Sequence, residues 1–168
     1  MPDQGTILLV DDDRDVLQGT SVRLRAAGYQ TIVAHDGDEG LACATTQRPD
    51  AIVLDVRMPR KDGLTALAEL QAGESTKNIP VVMLSASLGD QRAALESGAR
   101  FFLRKPYAGP MLVNAVKKAI DEATHAANGH APQHSTSSPG APAPTRAIRP
   151  LQLSPIDWES NSHGSPQP

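Results

Sequence analysis

Aromatic residues make up only 3% of this 168-residue chain, with one tryptophan, two tyrosines and two phenylalanines. Any core must therefore be aliphatic. A single cysteine, Cys43, excludes an internal disulfide framework and fits a reducing compartment. No basic excess exists: the net charge is −3, so the electrostatic footprint of a nucleic-acid-binding domain is missing. No stretch is apolar for the roughly 20 residues that span a bilayer. The first residues, Met1-Pro2-Asp3-Gln4-Gly5, lack the basic-then-apolar pattern of a secretory signal. These absences lead to the expectation of a soluble cytoplasmic protein with neither nucleic acid nor membrane as partner.

What is present divides unevenly. Eight of the fourteen prolines lie beyond Ala126, in a stretch rich in Ser and Ala. Such composition offers too little apolar surface to offset the entropy of ordering it. The expected organisation is a folded domain over residues 1–125 and a disordered tail over 126–168. One island, residues 146–159, holds Trp158 and several aliphatics and is a candidate docking segment.

Through residue 125, short apolar runs alternate with amphipathic stretches five times. The runs Ile7–Val10, Ala51–Leu54 and Val81–Leu84 are apolar throughout, which predicts parallel strands buried on both faces. Strands that alternate with helices predict right-handed crossovers and a doubly wound α/β sheet. Helices are expected over about 14–27, 39–47, from 63, over 90–97 and from 110. The third should bury Leu64, Leu67 and Ala68, and the fifth Leu112, Val116, Ala119 and Ile120.

Four runs end in chemistry. Asp11-Asp12-Asp13 follows the first, Asp55 the third, Ser85 the fourth and Lys105-Pro106 the fifth. In a parallel sheet the carboxyl ends share one edge, and ligand sites form there. Asp11 and Asp12 beside Asp55 would repel one another without a cation, and donors that are all oxygen favour magnesium, with manganese as the alternative. Asp13 suits a helix cap. Asp55 is the expected nucleophile, able to form an acyl phosphate. Asp12, Asp55 and the backbone carbonyl of Arg57 could supply three metal ligands. Lys105 would then meet a phosphoryl oxygen as a point charge, and the Ser85 hydroxyl would donate to another.

Taken together, Leu8-Leu9-Val10-Asp11-Asp12-Asp13, Leu54-Asp55-Val56-Arg57-Met58-Pro59, Asp62-Gly63, Leu84-Ser85-Ala86, Gly98-Ala99 and Lys105-Pro106 resemble the receiver domain of bacterial two-component response regulators over about residues 5–122. The resemblance implies a five-stranded parallel sheet of flavodoxin-like order. It implies phosphotransfer to Asp55, with Mg2+, from a sensor histidine kinase or a histidine phosphotransfer protein. It makes Asp11 and Asp12 the acidic metal pair, Ser85 the switch hydroxyl, Lys105 the phosphate contact and Phe102 the switch aromatic. Such a protein is a phosphoacceptor rather than an enzyme, assisting its own phosphotransfer and slow dephosphorylation.

Two rivals fit less well. Phosphohydrolases resembling haloacid dehalogenases need a carboxylate two residues past the nucleophile, where this chain has Arg57. A nucleotide-binding module wants a glycine- or hydroxyl-rich loop after the first strand, where three aspartates would repel phosphate. For the output, no second folded domain is legible after residue 125. The expected output is direct binding of a protein target by the face of helix four, strand five and helix five. A phosphorelay intermediate is the alternative, and a fragment of a longer regulator is a further one.

Overall fold

The computed structural model describes residues 4–127. Residues 128–168 of the expected tail, with the 146–159 segment, lie outside the described residues. Five strands, β1 (Thr6–Val10), β2 (Gln30–Ala34), β3 (Ala51–Asp55), β4 (Val81–Ser85) and β5 (Phe101–Arg104), alternate with five helices. These are α1 (Arg14–Ala26), α2 (Gly37–Gln47), α3 (Gly63–Ala72), α4 (Asp90–Glu96) and α5 (Gly109–Ala127). All strand pairs are parallel and the order is β2-β1-β3-β4-β5, the flavodoxin-like arrangement expected.

The side-chain period of two sorts each central strand between two aliphatic layers. Leu8, Val10, Ile52, Leu54, Val81 and Met83 pack with Ala44, Leu67, Leu70 and Ala94, under α2, α3 and α4. Ile7, Leu9, Val53, Val82 and Leu84 pack with Leu17, Leu24, Leu112 and Val116, under α1 and α5. Every residue of β3 and of β4 is buried, as runs that are apolar on both faces require.

Several boundaries differ from expectation, each for a local reason. α1 ends at Ala26, because the amide of Ala27 already caps the last turn and Gly28 takes a φ of 95°. α2 begins at Gly37, since the Asp36 side chain accepts from the Glu39 amide. α3 buries Gly63, Ala66, Leu67 and Leu70, while Ala68 faces solvent. Its inner stripe is thus rotated from the expected one: Gly63 must sit against β3, and that contact sets the helix's phase. α5 continues to Ala127, two residues past the expected domain end, and buries Leu112, Ala115, Val116 and Ala119 with Ile120 at the margin.

Candidate functional site

The strand order places a topological switch between β1 and β3: the chain moves outward from β1 to β2, then returns to add β3, β4 and β5 on the other side. Loops part at such a point and leave a crevice beyond the carboxyl ends. Asp11 and Asp12 follow β1, and Asp55 closes β3, so this crevice is lined with carboxylates. The hydrogen-bond ladder runs on past the strands and pins each carrier. The Asp11 amide donates to the Ala34 carbonyl at 3.2 Å, Val56 to Leu84 at 2.8 Å and Lys105 to Ser85 at 2.8 Å.

Carboxylate oxygens of Asp11, Asp12 and Asp55 all lie within 4.8 Å of one another. At that separation and an effective dielectric near 20, a pair of carboxylates repels by about 3–4 kcal/mol. One cation stands among them. Lys105 Nζ lies 2.8 Å from Asp11 Oδ2 and 2.7 Å from Asp55 Oδ1. Three carboxylates against one ammonium leave the crevice about two charges negative, the deficit a divalent cation would fill.

Burial pushes the Asp55 carboxyl above its usual range; hydrogen bonds and charge from Lys105 oppose this, and the charge of Asp11 adds to it. For Lys105, burial pulls downward, but hydrogen bonds to Asp11 and Asp55 outweigh it and hold the ammonium above its ordinary value. Asp11 Oδ1 also accepts from the Asp13 amide at 2.9 Å, and Asp55 Oδ2 from the Arg57 amide at 2.8 Å. These short turns orient both carboxylates before any ligand arrives.

The loop from β3 to α3 is clamped from two directions. Arg60, in a left-handed backbone conformation (φ 68°), pairs with Asp36. Lys61 lies 2.7 Å from Asp38 and 2.8 Å from Glu69. Asp62 caps α3 through the Thr65 amide at 2.8 Å, and Gly63 donates its amide to the Val56 carbonyl at 2.8 Å. Gly63 lies so close to β3 that an added Cβ would fall 2.0 Å from the Asp55 carbonyl oxygen.

The model for the response regulator receiver domain matches residues 7–117. The chain belongs to the response regulator receiver family. It is 45% identical over 116 residues to the transcriptional regulatory protein PrrA of Mycobacterium tuberculosis, covering 68% of this chain and 49% of that protein. It is 42% identical over 104 residues to the response regulator MprA of Mycobacterium avium, covering 61% of this chain and 45% of that one. The chain thus spans about half the length of these curated relatives. Among solved structures, chemotaxis protein CheY4 of Vibrio cholerae superposes with a TM-score of 0.64 at 31% identity, covering 68% of this chain and 97% of that one. The receiver domain of sensor histidine kinase PA1611 from Pseudomonas aeruginosa superposes with a TM-score of 0.65 at 32% identity, covering 70% and 98%. That structure holds a magnesium ion coordinated in its active-site cleft.

In this receiver the crevice gathers four of the residues singled out from sequence: Asp11, Asp12, Asp55 and Lys105. Ser85 sits at the neighbouring strand end, fully buried, but its hydroxyl donates to Asp90 Oδ2 at 2.6 Å and not into the carboxylate cluster. Phe102 is half-buried in β5 opposite Met83 and packs against the layer under α2, α3 and α4, a position compatible with core and switch alike. Asp13 caps α1, accepting from the amides of Asp15 at 2.9 Å and Val16 at 3.3 Å. Asp13→Ala should therefore lower stability by about 1 kcal/mol in a denaturant melt. It should leave the affinity for divalent cations unchanged, unlike Asp12→Ala.

Asp90 was missed from sequence. The sequence marks it only as a helix start, although a side chain on the first turn after a short loop can reach back to the strand end. Arg57 also does more than its position beside Asp55 suggested. Its guanidinium grips Asp90, Nε to Oδ2 at 3.2 Å and Nη2 to Oδ1 at 3.0 Å. That fork, and then the Ser85 hydrogen bond, hold the Asp90 carboxyl below the usual range. No helix among the described residues is long and apolar enough to cross a membrane.

Proposed function

We propose that Asp55 accepts a phosphoryl group from a phosphohistidine on a sensor histidine kinase or a histidine phosphotransfer protein, and that the phosphorylated domain regulates a protein partner by direct binding. The observation that carries this reading is the cluster itself: three carboxylates converging beside one lysine that bridges Asp11 and Asp55. The donor set suits Mg2+. Six oxygens around that ion lie about 2.1 Å from it, hence about 3–4 Å from one another, so oxygens within 4.8 Å need only a small side-chain adjustment.

Asp11, Asp12, Asp55 and the backbone carbonyl of Arg57 would hold the ion, directly or through water. When bound, Mg2+ supplies positive charge that neutralises the phosphoryl oxygens. The chain's own groups do the rest. A carboxylate oxygen of Asp55 attacks phosphorus in line; the P–N bond breaks as the new O–P bond forms, and the imidazole departs with the electron pair. Lys105 meets the charge on a phosphoryl oxygen, and the Ser85 hydroxyl donates to another. The chain acts as a phosphoacceptor, with hydrolysis of its acyl phosphate a slow second event.

Leu88 at 56%, Leu95 at 44% and Met111 at 54% exposure lie just before α4, on α4 and on α5. These apolar side chains favour a protein-binding output on the α4–β5–α5 face. Phosphorylation would bias that face between two arrangements, with Ser85 and Phe102 as the movable parts. The test is labelling by a small phosphodonor with and without Mg2+, followed by capture of partners with a beryllofluoride-treated chain. Mg2+-dependent label at Asp55 supports the acceptor reading, and label without Mg2+ or at another residue sinks it. Onward transfer of the label to a second histidine protein would instead establish the relay.

The raised pKa of Asp55 has a signed consequence. The metal displaces a proton from a carboxyl that titrates late, so affinity should fall as pH drops through that pKa, by up to about tenfold per pH unit, and level off above it. Isothermal titration with Mg2+ across the acidic range, in buffers of different ionisation enthalpy, should show proton release that fades as pH rises.

A further inference from the structure

The Ser85 hydroxyl has one proton. In this structure that proton goes to Asp90 Oδ2 at 2.6 Å, while the hydroxyl oxygen accepts from the Ser87 amide at 3.1 Å. The hydroxyl therefore cannot donate to a phosphoryl oxygen on Asp55 without first leaving Asp90. Asp90 is well placed to compete. Its side chain is only 14% exposed and is held at both oxygens by the Arg57 guanidinium, so it stays ionised and fixed. We propose that Asp90 is a positioning residue that holds the Ser85 hydroxyl in the resting arrangement, with Arg57 as its anchor, and so sets how readily this receiver adopts its phosphorylated form. The inference rests on the acceptor reading of Asp55.

Three features make the device self-consistent. Arg57 leads away from the acceptor residue itself: its amide holds Asp55 Oδ2 at 2.8 Å while its side chain holds Asp90. A change at Asp55 is thus linked covalently to the anchor. When the hydroxyl leaves, Asp90 keeps both contacts to Arg57 and is not stranded unpaired, so release is reversible. Asp90 is also the first residue of α4, whose Gly89 cap makes no side-chain hydrogen bond, so after release the Asp90 side chain is held only through the Arg57 fork and that helix start can follow Arg57. The position of one proton on Ser85 is thereby coupled to the beginning of the expected output face.

The test uses the full chain, with beryllofluoride and Mg2+ as the probe and backbone amide NMR signals near Asp55 as the readout. Removing the competing acceptor in Asp90→Ala should lower the beryllium concentration for half-conversion by about tenfold, the loss of one hydrogen bond to a charged group. Asp90→Asn keeps an acceptor for Ser85 but loses the charge. It should shift the midpoint the same way by a smaller factor, and it carries the test if the alanine variant melts too low. In a Ser85→Ala background the Asp90 effect should vanish, because the proton it competes for is gone. An unchanged midpoint in both Asp90 variants overturns the inference, as does a shift that persists without Ser85, which would mean only that a negative charge had been removed. If the wild-type chain fails to bind the probe at all, the acceptor reading falls, and this inference with it.

Discussion

Replacing Asp55 by asparagine should abolish phosphoryl labelling altogether, while leaving the fold and the crevice in place. Asparagine is nearly isosteric, and its carbonyl oxygen can still accept from Lys105 Nζ, which keeps its second contact to Asp11 at 2.8 Å. What would be lost is the charged oxygen proposed to attack phosphorus; a neutral amide is not a competent nucleophile there. The effect on stability should run the other way. Burial raises the folded-state pKa of Asp55, so its carboxyl favours folding only while protonated, and that contribution is lost as pH rises through the raised pKa. At neutral pH the wild-type protein without metal bears the cost of a desolvated charge. Asp55→Asn should therefore melt no lower than wild type in chelator, and should gain far less from added Mg2+. Label retained in the variant would move the acceptor elsewhere. A large fall in melting temperature would show that the charge of Asp55 holds the domain together.

The second large effect is expected at a residue with no side chain. In Gly63→Ala the new Cβ would lie 2.0 Å from the Asp55 carbonyl oxygen and 2.9 Å from both the Asp55 carbonyl carbon and the Val56 Cα. Comfortable contacts to carbon begin near 3.5 Å, so α3 or the end of β3 must shift by about an ångström. All the obstructing atoms are backbone, so no rotamer change relieves the clash. The shift would strain the Gly63 amide bond to the Val56 carbonyl and the close packing of Leu67 and Leu70. A loss of about 3 kcal/mol is expected in a denaturant melt. Function should suffer more, because Asp55 is the displaced residue. A misplacement of about 1 Å at a reacting group can cost about 100-fold in rate. Labelling by a small phosphodonor, followed over time below the variant's melting temperature, measures this. A rate within a few-fold of wild type would show that the helix, and not the acceptor, gives way.

Both predictions concern the seam between β3 and α3, which illustrates how sequence and structure divide the explanation. The pair Asp62-Gly63 was legible as a helix start and as part of a family pattern. That Gly63 is needed for close approach to Asp55 was not, since the loop of residues 56–62 separates the two and only the closed loop brings them together. The same holds for the stripe on α3. Leu64, Leu67 and Ala68 satisfy a helical period as well as Ala66, Leu67 and Leu70 do, and the choice between them depends on how the helix is rotated against the sheet.

Much of the site follows from the amino-acid order alone. Apolar runs that end in aspartate, serine or lysine must place those groups where the chain leaves the sheet, and parallel strands bring those exits to one edge. The convergence of Asp11, Asp12, Asp55 and Lys105 therefore needs only strand periodicity and topology. Which partner each side chain takes is a different kind of fact. Arg57 and Asp90 are 33 residues apart, and nothing in their local sequence says that a guanidinium fork will meet that carboxylate, or that the Ser85 proton will turn toward it. Such choices depend on rotamers and on distances of a few tenths of an ångström between separately folded elements. Only the packed tertiary structure sets these, because backbone pattern dictates where a side chain begins and its neighbours dictate where it ends.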